Sequence, residues 1–141
     1  MNLLALVTGA RYGELVGLTD NDFDFENNIL DINKTWKYKK DDKNEFGDLI
    51  ADSKPRKITV DEDVMLVFKE LLSALPERPH NLVFYSSASK KMVVTGNAVN
   101  KALNHVLDGL ELDKVTIHAL RHTHASSLLY AGATIQYYLN V

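Results

Sequence analysis

Apolar residues recur along this chain at two different spacings, and the changes between them mark out its elements. Residues 3–7 are apolar and give way to Gly9, which predicts the end of an apolar helix closed by that glycine. A second, short helix is predicted over residues 12–18, followed by an acidic, turn-rich loop over 20–28. From 29 to 36 (ILDINKTW) the positions alternate and β-formers dominate, which predicts a strand. Residues 56–60 predict another strand. It pairs with the first directly or through a middle strand near 46–50, and the lysine-rich stretch between reads as a loop or ragged hairpin. Asp61, Glu62 and Asp63 put acid where a helix dipole favours it, at the start of an amphipathic helix over 64–75 that Pro76 and Pro79 end. A short buried segment is expected at 82–85. Thr95 is the cap of a helix running to about 107, with Val99, Leu103, Val106 and Leu107 on its apolar face. The last helix is expected over 117–131, between the N-cap candidate Thr116 and Gly132. The pattern therefore predicts an α+β fold, mainly helical with a small antiparallel β-sheet, in a single domain over 1–141.

Composition narrows the function classes. A chain of 141 residues with 45% apolar content can bury a core of its own. Cysteine is absent, so disulfides and thiolate metal sites are excluded; this fits a reducing, cytoplasmic setting, which is the expected location. No apolar run approaches the length of a membrane span, and no membrane partner is expected. The net charge of −3 argues against a protein that coats DNA, yet the charge is uneven. Lys34, Lys37, Lys39, Lys40 and Lys43 cluster, as do Lys54, Arg56 and Lys57, and then Lys90 and Lys91, while acid gathers at 20–26 and 61–63. A local basic surface can hold a phosphate backbone on an acidic protein; solvated surface lysines are the plainer reading.

The chemistry concentrates in VTIHALRHTHASS, residues 115–127. On a helix, His118, Arg121 and His122 share one face, because i, i+3 and i+4 are neighbours. Upstream, TGARYGEL sets Arg11 between Gly9 and Gly13, which permit a tight turn and close approach of backbone. Arginine's planar fork gives two parallel bonds to phosphate oxygens and stays charged at any working pH. Two such forks arriving from separate helices could converge on one phosphodiester. Glu14 is read as orienting Arg11 or a neighbouring basic side chain; a plain surface ion pair between Arg11 and Glu14 is the alternative. His118 and His122 could offer two metal ligands, but Ala119 stands where a metalloprotease motif has glutamate, and no third ligand is evident. No metal or cofactor is expected.

TGARYGEL and HALRH, in that order and at this separation, resemble the first-arginine and His-x-x-Arg motifs of the tyrosine recombinase (phage integrase) family. Between them DSKPRKITV resembles part of the family's β-hairpin, and the likeness covers essentially the whole chain. The resemblance implies a catalytic-domain fold that acts on double-stranded DNA of a phage or mobile element, in site-specific integration and recombination without ATP or metal. It implies that Arg11 and Arg121 clamp the scissile phosphate and that His118 acts beside it as an acid/base or hydrogen-bond donor. His122 is expected to pack or hydrogen-bond near the site, and His124 to be a partly buried helix residue.

The family pattern also sets expectations that this sequence does not meet. Its reaction uses a tyrosine nucleophile, forming a 3′-phosphotyrosyl link and releasing a 5′-hydroxyl, well beyond the second arginine. Tyr137 and Tyr138 fall at a different spacing and read as packing aromatics. A hairpin lysine protonates the leaving oxygen in relatives; Ile50 or Ala51 occupies that place, and Lys54 is the nearest candidate, as a displaced general acid or a solvated strand-end lysine. A helical core-binding domain precedes the catalytic domain in relatives. The chain is accordingly expected to be a catalytic domain truncated at both ends, which binds DNA and does not cleave alone. The alternatives are a non-catalytic DNA-binding or assembly module that pairs with intact recombinase protomers, and an unrelated phosphate-binding domain. Apolar surface around Tyr137, Tyr138 and Leu139 leads to an expectation of self-association.

Overall fold

A computed structural model of the chain describes residues 1–37, 44–49 and 53–133. Its helices are α1 (Asn2–Thr8), α2 (Tyr12–Val16), α3 (Glu62–Ala74), α4 (Gly96–Gly109) and α5 (Ile117–Tyr130). Its strands are β1 (Phe23–Asp24), β2 (Ile29–Ile32), β3 (Thr35–Trp36), β4 (Phe46–Gly47) and β5 (Arg56–Thr59). This is the mixed, mainly helical arrangement with small antiparallel sheets that the pattern predicted.

The predicted strand over 29–36 is in fact two strands in two sheets. β2 lies between β1 and β5, with Phe23 opposite Leu30 and Leu30 opposite Ile58. β3 pairs instead with β4, Trp36 opposite Phe46. The chain turns at Asn33 and Lys34, where the Lys34 Nζ reaches the buried Asp22 carboxylate at 2.5 Å. Lys34 interrupts the alternation, standing in the register of Leu30, Ile32 and Trp36; what the pattern does not reveal is that each half enters a different core. Leu30 and Ile32 join Leu4, Leu15, Met65 and Phe68, whereas Trp36 joins Val16, Leu82 and Val93. The strand near 46–50 is therefore not a bridge between β2 and β5. The loop expected over 20–28 also holds a 3-10 turn at Asp20–Asp22 and the strand β1.

Helix ends follow local chemistry. Asp61 caps α3 by accepting the Asp63 N–H at 3.0 Å, and Leu75, held extended before Pro76, ends it. Thr95 caps α4 as expected, accepting the Ala98 N–H at 3.2 Å. Val99 and Leu103 are buried and Leu107 packs on the core, but Val106 is exposed, lying beyond the edge of the apolar stripe. Thr116 makes no side-chain cap on α5; Asn100 Oδ1, reaching over from α4, accepts the Ile117 N–H at 2.8 Å in its stead.

Two glycines set the approach of elements around the chemistry. Gly17 ends α2 against β3, where a Cβ would stand 2.9 Å from the Thr35 carbonyl carbon and the Trp36 nitrogen. Gly9 ends α1 with φ +64°, and a Cβ there would meet the His124 ring at 2.6 Å. The α1–α5 packing thus passes directly over Gly9.

Candidate phosphate-binding site

Arg11 sits at the start of α2 with extended backbone, φ −72° and ψ 152°. The turn before it is fixed by Thr8, which is fully buried, donates to the Leu4 carbonyl at 2.6 Å and accepts the Ala10 N–H at 3.2 Å. Glu14 then closes the first turn of α2 by accepting the Arg11 N–H at 2.8 Å. The Arg11 guanidinium remains 42% exposed, donates to the Ser53 hydroxyl just ahead of β5, and stands 3.6 Å from Glu14 Oε1.

Arg121 comes from the opposite direction. Its Nη1 donates to the Gly9 carbonyl, two residues before Arg11, so α5 delivers the second arginine to the α1–α2 junction that carries the first. His124, one turn from Leu120, bonds the Leu6 carbonyl at 2.9 Å through Nδ1 and rests on Gly9. Burial lowers its pKa, with a smaller push from the Arg121 charge, against the opposing effect of the Leu6 carbonyl. His124 is the partly buried helix residue the sequence suggested. It also anchors α1 to α5, which spacing could not reveal.

His118 and His122 are both exposed on the face that bears Arg121, their rings edge to face at 4.9 Å. Among the described residues no group of three or more histidine, cysteine or acidic side chains could hold a metal ion. Lys54 is exposed and directly follows Ser53, the Arg11 partner. Ile50, Ala51, Tyr137, Tyr138 and Leu139 lie outside the described residues, as do Lys39, Lys40 and Lys43.

Three basic residues read as parts of a basic surface are instead committed to carboxylates. Lys34 pairs with Asp22, Lys37 with Glu45 at 3.0 Å, and Arg56 with Glu14. The last pair bears on the reading of Glu14, which left Arg11 or a neighbouring basic side chain as its partner. Glu14 is 2% exposed and takes both Arg56 nitrogens, Nη2 at 2.9 Å and Nη1 at 3.2 Å, so its main partner is not Arg11. Burial raises the Glu14 pKa, but the Arg56 bonds, the Arg11 N–H and the two arginine charges outweigh it and leave the value below the ordinary 4.5. A signal for Arg56 was present: it shares a strand face with Ile58 and Val60, so the alternation points a charged side chain inward.

Two arginines from opposite ends of the chain thus meet at one helix junction, on this order of helices and small sheets. The phage integrase family profile matches residues 1–140, and the chain belongs to that family. It is 32% identical over 133 residues to an integrase of Staphylococcus phage L54a, covering 86% of this chain and 37% of that protein. Its fold matches the Tn1549 transposon integrase solved with transposon right-end DNA (25% identical, TM-score 0.75, 99% of this chain and 49% of that one). The XerA recombinase matches as well (21% identical, TM-score 0.72, 97% and 43%). The chain thus spans less than half the length of each of these relatives. Among the described residues no helix is long and apolar enough to cross a membrane.

Proposed function

We propose that this chain is the DNA-contacting, catalytic-type domain of a site-specific tyrosine recombinase, and that Arg11 and Arg121 hold one phosphate of double-stranded DNA between them. The bond from Arg121 to the Gly9 carbonyl carries the reading, because it brings the two motifs to one junction from opposite ends of the chain. Arg11, half-exposed, offers its fork to a non-bridging oxygen, and charge developing on that phosphate is stabilised from two directions. His118, exposed one turn before Arg121, donates a hydrogen bond or a proton at the same phosphate. Glu14 holds Arg11 in place. His122 supports His118 by edge-to-face contact, and Lys54, next to the Arg11 partner Ser53, is the candidate proton donor to the leaving oxygen. The proposal for this chain is binding and orientation of the phosphate.

Binding to labelled duplex DNA over a salt series, wild type beside Arg121→Ala, tests it. Affinity should fall steeply with salt, and the substitution should weaken binding while flattening the log–log slope by about 1. Equal affinity and slope for the two proteins, or a folded chain that binds no duplex at low salt, would overturn the assignment.

A further inference from the structure

Arg56 opens β5, yet its side chain is only 11% exposed and is turned onto Glu14 with two bonds. Its Nε is buried without a hydrogen-bond partner among the described residues. For stability alone this is a poor arrangement. Two charges leave water and one N–H is left unsatisfied, where a well-packed apolar pair of similar volume serves a fold as well or better. An apolar pair cannot, however, keep a carboxylate ionised at this position, and Glu14 applies that carboxylate to Arg11, through the 2.8 Å bond from the Arg11 N–H and the 3.6 Å approach to its guanidinium. Arg11 in turn bonds Ser53, at the approach to β5. Ser53, Arg11, Glu14 and Arg56 therefore form a run of contacts whose two ends, Ser53 and Arg56, lie three residues apart on the same segment.

We propose that Arg56 is a positioning residue for the phosphate site: its paired bonds to Glu14 lock β5 onto α2 and so set where Arg11 stands. This rests on the reading of Arg11 as a phosphate ligand. Two parallel bonds need a fork, so lysine keeps the charge of Arg56 without its geometry. Arg56 itself does not touch the phosphate; it acts through Glu14.

The test uses the whole chain with Arg56→Met and Arg56→Lys, in two measurements. NMR of 13C-labelled glutamate follows the Glu14 carboxyl, and 15N NMR follows the Arg11 Nε–H. Arg56→Met should raise the Glu14 midpoint and shift the Arg11 resonance, with Arg56→Lys between it and wild type. Duplex affinity at low salt should fall roughly 5-fold in Arg56→Met, less in Arg56→Lys, and Arg56→Met should cost nothing further once Arg11 is alanine. An unmoved Glu14 midpoint, or Arg56→Met and Arg11→Ala losses that multiply, would overturn the proposal. If Arg11→Ala leaves DNA binding intact, the phosphate reading fails by itself, and the two NMR readouts still decide whether Arg56 positions Arg11. Should Arg56→Met fail to fold, Arg56→Lys decides alone: wild-type values in both measurements would refute the need for the fork.

Discussion

Gly9→Ala joins the backbone, the helix packing and the arginine clamp in one substitution. Gly9 has φ +64°, where an L-residue with a Cβ costs roughly 1 kcal/mol more than glycine. The added methyl would also lie 2.6 Å from His124 Cδ2, well inside contact distance. The imidazole must move, and moving it loosens the bond to the Leu6 carbonyl, a further loss of about 1 kcal/mol. Together these give a destabilisation of roughly 2 kcal/mol, or roughly 6–8 °C in Tm for a domain of this size. Urea unfolding followed by circular dichroism measures it. The same substitution made in a His124→Ala background separates the two causes, because the steric part vanishes while the left-handed backbone stays. There, Gly9→Ala should cost only about 1 kcal/mol. An equal cost in both backgrounds would show that α5 does not press on Gly9, and would remove the packing argument for how Arg121 reaches the α1–α2 junction.

Two further outcomes follow from the same contacts. Asn100→Ala should destabilise the chain by about 1 kcal/mol, because Asn100 supplies the α5 cap across the helix pair, whereas Thr116→Ala should be close to neutral; thermal unfolding of the two variants reverses this order if the cap is local. Glu14 is held below its ordinary pKa by the fold, so the folded chain binds that proton less well than the unfolded chain. Its contribution is therefore complete above the unfolded value and is lost as pH falls through the folded one. The stability advantage of wild type over Glu14→Gln should shrink as pH is lowered below about 4.5 in urea titrations, and a constant difference would show that Glu14 carries no such linkage.

The alternation of β2 and β5, the Thr95 cap, the acid at the start of α3 and the glycine-ended α1 were all legible in the sequence, because each depends on residues within a turn or two of one another. So was the family, through two short motifs whose residue types serve phosphate chemistry. Three features were decided only by tertiary structure. The assignment of β2 and β3 to different sheets depends on which of two cores each enters, and that is not written in the alternation. The cap of α5 comes from Asn100 on another helix. The partner of Glu14 is Arg56 on β5, and its neighbour Arg11 could claim the carboxylate on spacing alone. Local hydrogen bonds and periodicity act over a few residues and so leave a mark in the sequence. The pairing of buried charges is settled by which groups lose water together, and that depends on elements brought together from far apart in the chain.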